Sequence, residues 1–269
     1  MPTPNLETDG FFKAGKTEEA YNVFVQMIEF RPFPNQVTFN AVINGLSKDG
    51  KIDKAWDCFQ IMSRKGLQPN VVTYNSVIAV FSRTGHMGMA FQMLEKMTRK
   101  GLKPNDVTCN TIIDGLCKAG DLASAHLLMN KILDEGKVPD VMAYSSLING
   151  HCKIGQMGEA LKLFKSMEMV GIAPDVVTYT TLIATLCKED KLDAALSMLD
   201  EMRAKGLVPN EVTYSTLFRG ASKRCDWEKT FFLMNQMQKQ GCAPSDKTVK
   251  ILFCWLIDVG QIEKLKDCF

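Results

Sequence analysis

Between residues 71 and 105, apolar side chains fall at Tyr74, Val77, Ile78 and Phe81, and then at Met87, Ala90, Phe91, Leu94 and Met97. Spacings of three and four residues place each set on one face of a helix. The pattern predicts helices over 74–83 and 87–99, broken at Thr84-Gly85. Thr73 suits the N-cap of the first helix. Gly85 and Gly101 suit left-handed turns after each helix, and Pro104 stops any continuation. Nothing reads as a strand.

The pattern restarts every 35 residues. VVTYN at 71–75 is QVTFN at 36–40, DVTCN at 106–110, VMAYS at 141–145, VVTYT at 176–180 and EVTYS at 211–215. Seven of the ten prolines, from Pro34 to Pro244, occupy the penultimate position of a unit. The units are 1–35, 36–70, 71–105, 106–140, 141–175, 176–210, 211–245 and a truncated 246–269. Pro2 and Pro4 predict a short first helix in the first unit. Glycine between the helices recurs at 15, 50, 85, 120, 155 and 260, with Asp190 and Cys225 in its place in two units. A small residue early in the second helix recurs as Ala20, Ala55, Ala90, Ala125, Ala160 and Ala195. Met27, Met62, Met97, Met167, Met202 and Met237 share a later position, and their spacing predicts a packing face between neighbouring units. A period of this length signals a solenoid or propeller, and the helical pattern inside it favours an all-α solenoid.

Composition narrows the picture. The 32 basic and 30 acidic residues give a net charge of +2, too balanced to argue nucleic-acid binding from the total. No apolar run is long enough to span a membrane, and MPTPNLETDG reads as neither a secretory signal nor a transit peptide. The nine cysteines include no CxxC pair. Cys117, Cys152 and Cys187 share one repeat position, which favours reduced thiols over disulfides or zinc. No metal or other cofactor is expected. His86, His126 and His151 fall at three different repeat positions, and no nucleotide-binding loop, nucleophile elbow or deaminase signature is present. An enzyme is not expected.

V-T-Y-N at the start of the unit, K-x-G at its inner turn, alanine in the second helix and M…G…P-[DN] at the end resemble the pentatricopeptide repeat family. The resemblance covers essentially the whole chain, most strongly 36–245, and its uninterrupted units look like the P-type subclass. It implies a right-handed superhelix formed by one solenoid over 1–269, binding single-stranded RNA at one nucleotide per repeat in a plant organelle. Similarity to fertility-restorer-like proteins points to the mitochondrion, with the plastid as the alternative. A monomer is expected, with no membrane or small-molecule partner. It would act by protecting or masking a transcript segment, or by placing a nuclease or ribosome supplied in trans.

Two polar positions per unit carry the expected base reading. The residue after the aromatic position is Asn40, Asn75, Asn110, Ser145, Thr180 and Ser215. The last residue of the unit is Asn70, Asn105, Asp140, Asp175, Asn210 and Ser245. Ionised Asp only accepts and so favours the imino N–H of uracil or guanine, whereas Asn can donate to the bare ring nitrogen of cytosine or adenine. Asn at the first position suits a pyrimidine, and the shorter Ser or Thr leaves room for a purine. This agrees with the family's pairing code, and the family's polarity gives a core of 5′-(C/U)(C/U)UGA-3′. Ser215/Ser245 matches no well-defined pair, and Asn5/Asn35 would add a pyrimidine.

Val37, Val72, Val107, Met142, Val177 and Val212, second in each unit, could sandwich the bases. Lys48, Arg83, Lys118, Lys153, Lys188 and Lys223, with Lys13, form a cationic ridge for phosphates. Each feature has a plain reading as well: Asn or Asp after Pro is common in turns, and lysine near a helix C-terminus favours the dipole. The competing function is a protein–protein interaction solenoid of tetratricopeptide type.

Overall fold

The structure is a computed structural model, and it describes residues 10–250 except 13, 31–32, 225 and 247. Expectations that fall on Asn5, Lys13, Cys225 and Gly260, and on most of the predicted first helix of unit 1–35, lie outside those residues. The chain divides into two compact units, residues 1–143 and 144–269. No strand occurs among the described residues.

The helices follow the repeat. In chain order they are α1 (Thr17–Phe30), α2 (Gln36–Lys48), α3 (Ile52–Arg64), α4 (Val71–Arg83), α5 (Met87–Arg99), α6 (Asp106–Ala119) and α7 (Leu122–Asp134). They continue as α8 (Val141–Lys153), α9 (Met157–Met169), α10 (Val176–Lys188), α11 (Leu192–Ala204), α12 (Glu211–Lys223) and α13 (Trp227–Lys239). From 36 to 245 each 35-residue repeat is thus a first helix, a tight turn and a second helix. A first helix packs on its own second helix and on the next first helix: α2 meets α3 and α4, α4 meets α5 and α6, and α10 meets α11 and α12.

The first helices begin three residues before the predicted start, and the cap is Asn70 rather than Thr73. Asn70 has an extended backbone, and its Oδ1 accepts from the Thr73 N–H at 3.0 Å. The Thr73 hydroxyl accepts from the Asn70 N–H at 3.2 Å. The two make a reciprocal capping box, with Thr doing what Glu or Gln does in the usual form. Both residue types cap helices well, so composition alone does not choose between them. Gly85 and Gly101 do take left-handed backbones, at φ 81° and 76°. Asp190 reaches φ 61° in place of glycine, a conformation short polar side chains tolerate.

The recurring apolar residues are the core. Every alanine of the early second-helix position is fully buried, and the shared methionines are at most 4% exposed. Four of the aromatic residues in the first helices, Tyr74, Tyr144, Tyr179 and Tyr214, are among the largest fully buried side chains. At three junctions neighbouring repeats are joined by an edge-to-face contact between a second-helix Phe and the next first-helix aromatic. Phe24 meets Phe39 at 5.1 Å, Phe59 meets Tyr74 at 5.4 Å, and Phe164 meets Tyr179 at 5.2 Å. Such pairs contribute roughly 0.5–1.5 kcal/mol beyond area burial. Between α5 and α6 the corresponding residues are Leu94 and Cys109, and a pocket of about 280 Å³ opens between them. Cys58, Cys109, Cys117, Cys152, Cys187 and Cys242 are free thiols.

Candidate nucleic-acid interface

The residue that ends each unit is also the cap of the next first helix. Asn70, Asn105, Asp175 and Asn210 each accept the third helical N–H on Oδ1, from Thr73, Thr108, Thr178 and Thr213. Asp140 does the same with Ala143 at 3.0 Å. Capping fixes which end of the side chain faces the helix and turns the other end outward. No described protein group takes the Nδ2 protons of Asn70, Asn105 or Asn210. Asp175 receives both its bonds, from Thr178 N and Oγ1, on Oδ1, and Oδ2 is left open.

The companion polar residue reaches this cap from the preceding first helix. Asn40 donates to Asn70 at 3.4 Å, Asn75 to Asn105 at 3.0 Å and Asn110 to Asp140 at 2.6 Å. In the next two repeats Ser145 and Thr180 are too short to reach. They meet the threonine beside the cap instead: Ser145 Oγ lies 2.6 Å from Thr178 Oγ1, and Thr180 Oγ1 lies 2.8 Å from Thr213 Oγ1. Ser215 and Ser245 are not brought together. Ser215 donates to the Val212 carbonyl, and Ser245 donates to Glu211 at 2.5 Å. Thr248 also donates to Glu211, so this carboxylate takes the place an Asn or Asp cap oxygen holds elsewhere.

Threonine third in the repeat links the two polar positions, and the sequence pattern alone does not single it out. Thr38, Thr73, Thr108, Thr178, Thr213 and Thr248 are all buried. The hydroxyls of Thr73 and Thr108 each sit between the two polar residues of a pair: Thr73 is 2.5 Å from Asn40 and 3.0 Å from Asn70, Thr108 2.6 Å from Asn75 and 2.9 Å from Asn105. The signal was the recurrence of Thr inside V-T-Y-N, which reads equally well as capping chemistry.

Beside the pairs stand exposed apolar side chains. Val37, Val72, Val107 and Met142 in one compact unit, and Val177 and Val212 in the other, are 55% to 71% exposed. One exposed valine needs no explanation, but the same exposure in six repeats beside a polar pair does.

A model of the PPR repeat family matches residues 34–78, 69–118, 104–153, 139–188 and 174–223. A second model, of the single PPR repeat, matches 8–31 and 212–242.

The chain belongs to the PPR repeat family.

No curated protein matches it. Among solved structures it is similar to the pentatricopeptide repeat protein PPR10 from maize, with a TM-score of 0.67 and 26% identity. That match covers 90% of this chain and 34% of the maize protein, so the chain spans about a third of that relative's length. PPR10 in complex with an 18-nt psaJ RNA element matches at TM-score 0.63 and 24% identity, covering 92% of this chain and 40% of that one. The PPR domain of Arabidopsis thaliana protein-only RNase P 1, in complex with tRNA, matches at 0.56 and 15%, covering 66% and 94%. The last two likenesses are of fold. The fold of this chain is the α-solenoid of 35-residue helix–turn–helix PPR repeats.

The cations at the first-helix ends of these PPR repeats differ in what they touch. Arg83 donates to the Ser47 carbonyl at 3.1 Å. Lys118 pairs with Asp114 one turn earlier, at 2.6 Å. Lys48, Lys153, Lys188 and Lys223 are exposed and form no ion pair with described residues.

Proposed function

We propose that the chain binds single-stranded RNA sequence-specifically, one base per PPR repeat, with the core 5′-(C/U)(C/U)UGA-3′. One base per repeat, read by two or three side chains, is the known mode of this repeat class. The observation that carries the proposal is the outward end of each capping residue. A cap that spends Oδ1 on the helix offers a base only what remains. For Asn105 and Asn210 that is an amide donor, suited to the bare ring nitrogen of cytosine or adenine. For Asp140 and Asp175 it is an acceptor, suited to uracil or guanine. The exposed Val72, Val107 or Val177 beside each pair supplies an apolar face for the ring.

The reading assigns Asn40/Asn70 and Asn75/Asn105 to pyrimidines, Asn110/Asp140 to U, Ser145/Asp175 to G and Thr180/Asn210 to A. The protein acts by occupying the transcript, as a monomer in an organelle, rather than by chemistry of its own. The PPR10 structure with an RNA element supports RNA as the ligand class.

The test is a titration of labelled 5′-UCCUGAA-3′ against a scrambled strand, for the native chain and for Asp175→Asn. Native protein should prefer the intended strand, and Asp175→Asn should move the preference at the G position to A by about tenfold. Equal binding of both strands would refute base reading. An unchanged preference for G would refute the two-residue mechanism.

A further inference from the structure

In the 176–245 region, the α12 residues Val212, Thr216, Arg219 and Lys223 recur at helical spacing and form one stripe along the face that carries the exposed valine. Between this stripe and α10 lies a pocket of about 180 Å³. Its floor is the buried Cys187 under Gly220, where a Cβ would approach the Cys187 sulfur to 2.8 Å. Ala184 leaves the mouth open, and Lys188, Arg219 and Lys223 line it. Thr216 spends its hydroxyl proton on the Val212 carbonyl at 2.8 Å.

The charges on this pocket are unbalanced. None of the three cations has an ion-pair or hydrogen-bond partner among the described residues, and no acidic residue lines the pocket. Arg224, close by, is bound to Asp190 and Asp193. The earlier repeat at 106–140 shows the contrasting arrangement. There Asp114 stands where Arg219 stands here, and it neutralises Lys118. Burial raises the Cys187 thiol to about 11, against the opposing pull of Lys223, Arg219 and Arg224. Three uncompensated cations over an apolar floor, one of them a planar guanidinium fork, match a tetrahedral oxyanion.

We propose that Lys188, Arg219 and Lys223 hold one phosphodiester of the bound RNA, the linkage 3′ to the adenine read by Thr180/Asn210. The proposal rests on the RNA-binding reading above and adds an anchor at one fixed linkage. Only this junction combines an arginine at the ninth repeat position with lysines on both sides. It therefore sets the register of the strand along the array, a task that repeats with similar preferences perform poorly.

The test uses the native chain, Arg219→Ala and Arg219→Lys, with 5′-UCCUGAA-3′ strands in which each phosphodiester in turn is replaced by a neutral methylphosphonate. Native protein should lose roughly tenfold in affinity when the linkage 3′ to the adenine is neutralised, and least elsewhere. Arg219→Ala should weaken the unmodified strand by a similar factor, become insensitive to that replacement, and lower the salt slope by about 0.7. Arg219→Lys should recover part of the loss. Independent, additive effects of variant and methylphosphonate would overturn the proposal, as would a maximum at another linkage. So would inorganic phosphate that stabilises the native chain but not Arg219→Ala and displaces the RNA at equal concentration, since the pocket would then serve a free anion. Strand preference read in the same titrations separates the failures: no RNA binding sinks both readings, and a kept preference without coupling sinks only the pocket.

Discussion

Thr108 places its hydroxyl 2.6 Å from Oδ1 of Asn75, a residue 33 positions earlier in the chain. The same hydroxyl is 2.9 Å from Asn105 Oδ1, and it shares one proton between two acceptors. Asn75 is thereby turned so that its amide donates to Asn105 at 3.0 Å. The shape-conserving Thr108→Val should lose about 1–2 kcal/mol of stability, because it removes the bonds to Asn75 and Asn105 and the acceptor of the Asn105 N–H. Discrimination at the base assigned to Asn75/Asn105 should fall while other positions hold. Denaturant midpoints and strand-by-strand binding check both parts. An unaltered base preference would show that the hydroxyl only caps.

The reciprocal change is available at Ala143, the one unit between 36 and 245 that lacks this threonine. Ala143→Thr should sharpen discrimination at the base assigned to Asn110/Asp140 and leave the fold intact. Binding to strands differing only at that base measures it, and a loss of thermal stability would count against the expected fit.

The pocket at Cys109 marks a junction where both partners of the Phe–aromatic contact are replaced, Phe by Leu94 and the first-helix aromatic by Cys109. Leu94, Ile112, Leu128 and Ile132 line it, and the equivalent first-helix residue is Tyr or Phe in the neighbouring repeats. Burial also raises the Cys109 thiol above its ordinary range. Cys109→Tyr should fill the space and stabilise the chain by about 0.5–2 kcal/mol. A melting curve decides, and a fall in Tm would mean that the ring cannot enter between Leu94 and Ile132.

Much of this was legible in the sequence. The period, the helix pairs and the buried Tyr, Ala and Met positions follow from apolar spacing, because burial acts on every unit alike. What was missed depends on side-chain direction. Asn70 and Thr73 are both capping residues, and only geometry shows that they cap each other. Cys109 looked like one more thiol until the aromatic contacts of the other junctions were in place. Arg219 stands at the ninth position of its repeat, four residues before the recurring cations of the thirteenth, and no other repeat has an arginine there to mark it.

Two tyrosines at equivalent positions should respond differently to loss of the hydroxyl. Tyr74 Oη is buried with no hydrogen-bond partner among the described residues, whereas Tyr179 Oη donates to Glu201 at 2.8 Å. Tyr74→Phe should be neutral or stabilising by up to about 1 kcal/mol, and Tyr179→Phe should cost about 0.5–1.5 kcal/mol. Urea unfolding of the two variants side by side gives the order. Equal losses would mean that Tyr74 finds a partner in solution.

Acid should loosen the contact between α1 and α3 before the core. Glu18 accepts from Lys51 at 2.5 Å and from Lys54 at 2.8 Å, and these bonds hold its carboxyl at about 2 instead of the ordinary 4.5. A carboxyl that is more acidic when folded contributes stability above its ordinary value and loses it as pH falls through the folded one. The stability difference between the native chain and Glu18→Gln should therefore shrink between about pH 4.5 and pH 2, and high salt should reduce it. Unfolding midpoints across that range test it, and a difference that does not change with pH would exclude the ion pairs as its source.

Under the proposed base reading, Asn70, Asn105, Asp140, Asp175 and Asn210 serve both the helix and the RNA, and this double duty limits how the array can evolve. A residue that must hold a helix start can be exchanged only among types that do this well, chiefly Asn, Asp, Ser and Thr. Those few types also differ in what they offer an incoming base. A single substitution can then respell one letter of the target while the helix beneath it stays anchored, so new specificities lie one viable step from old ones.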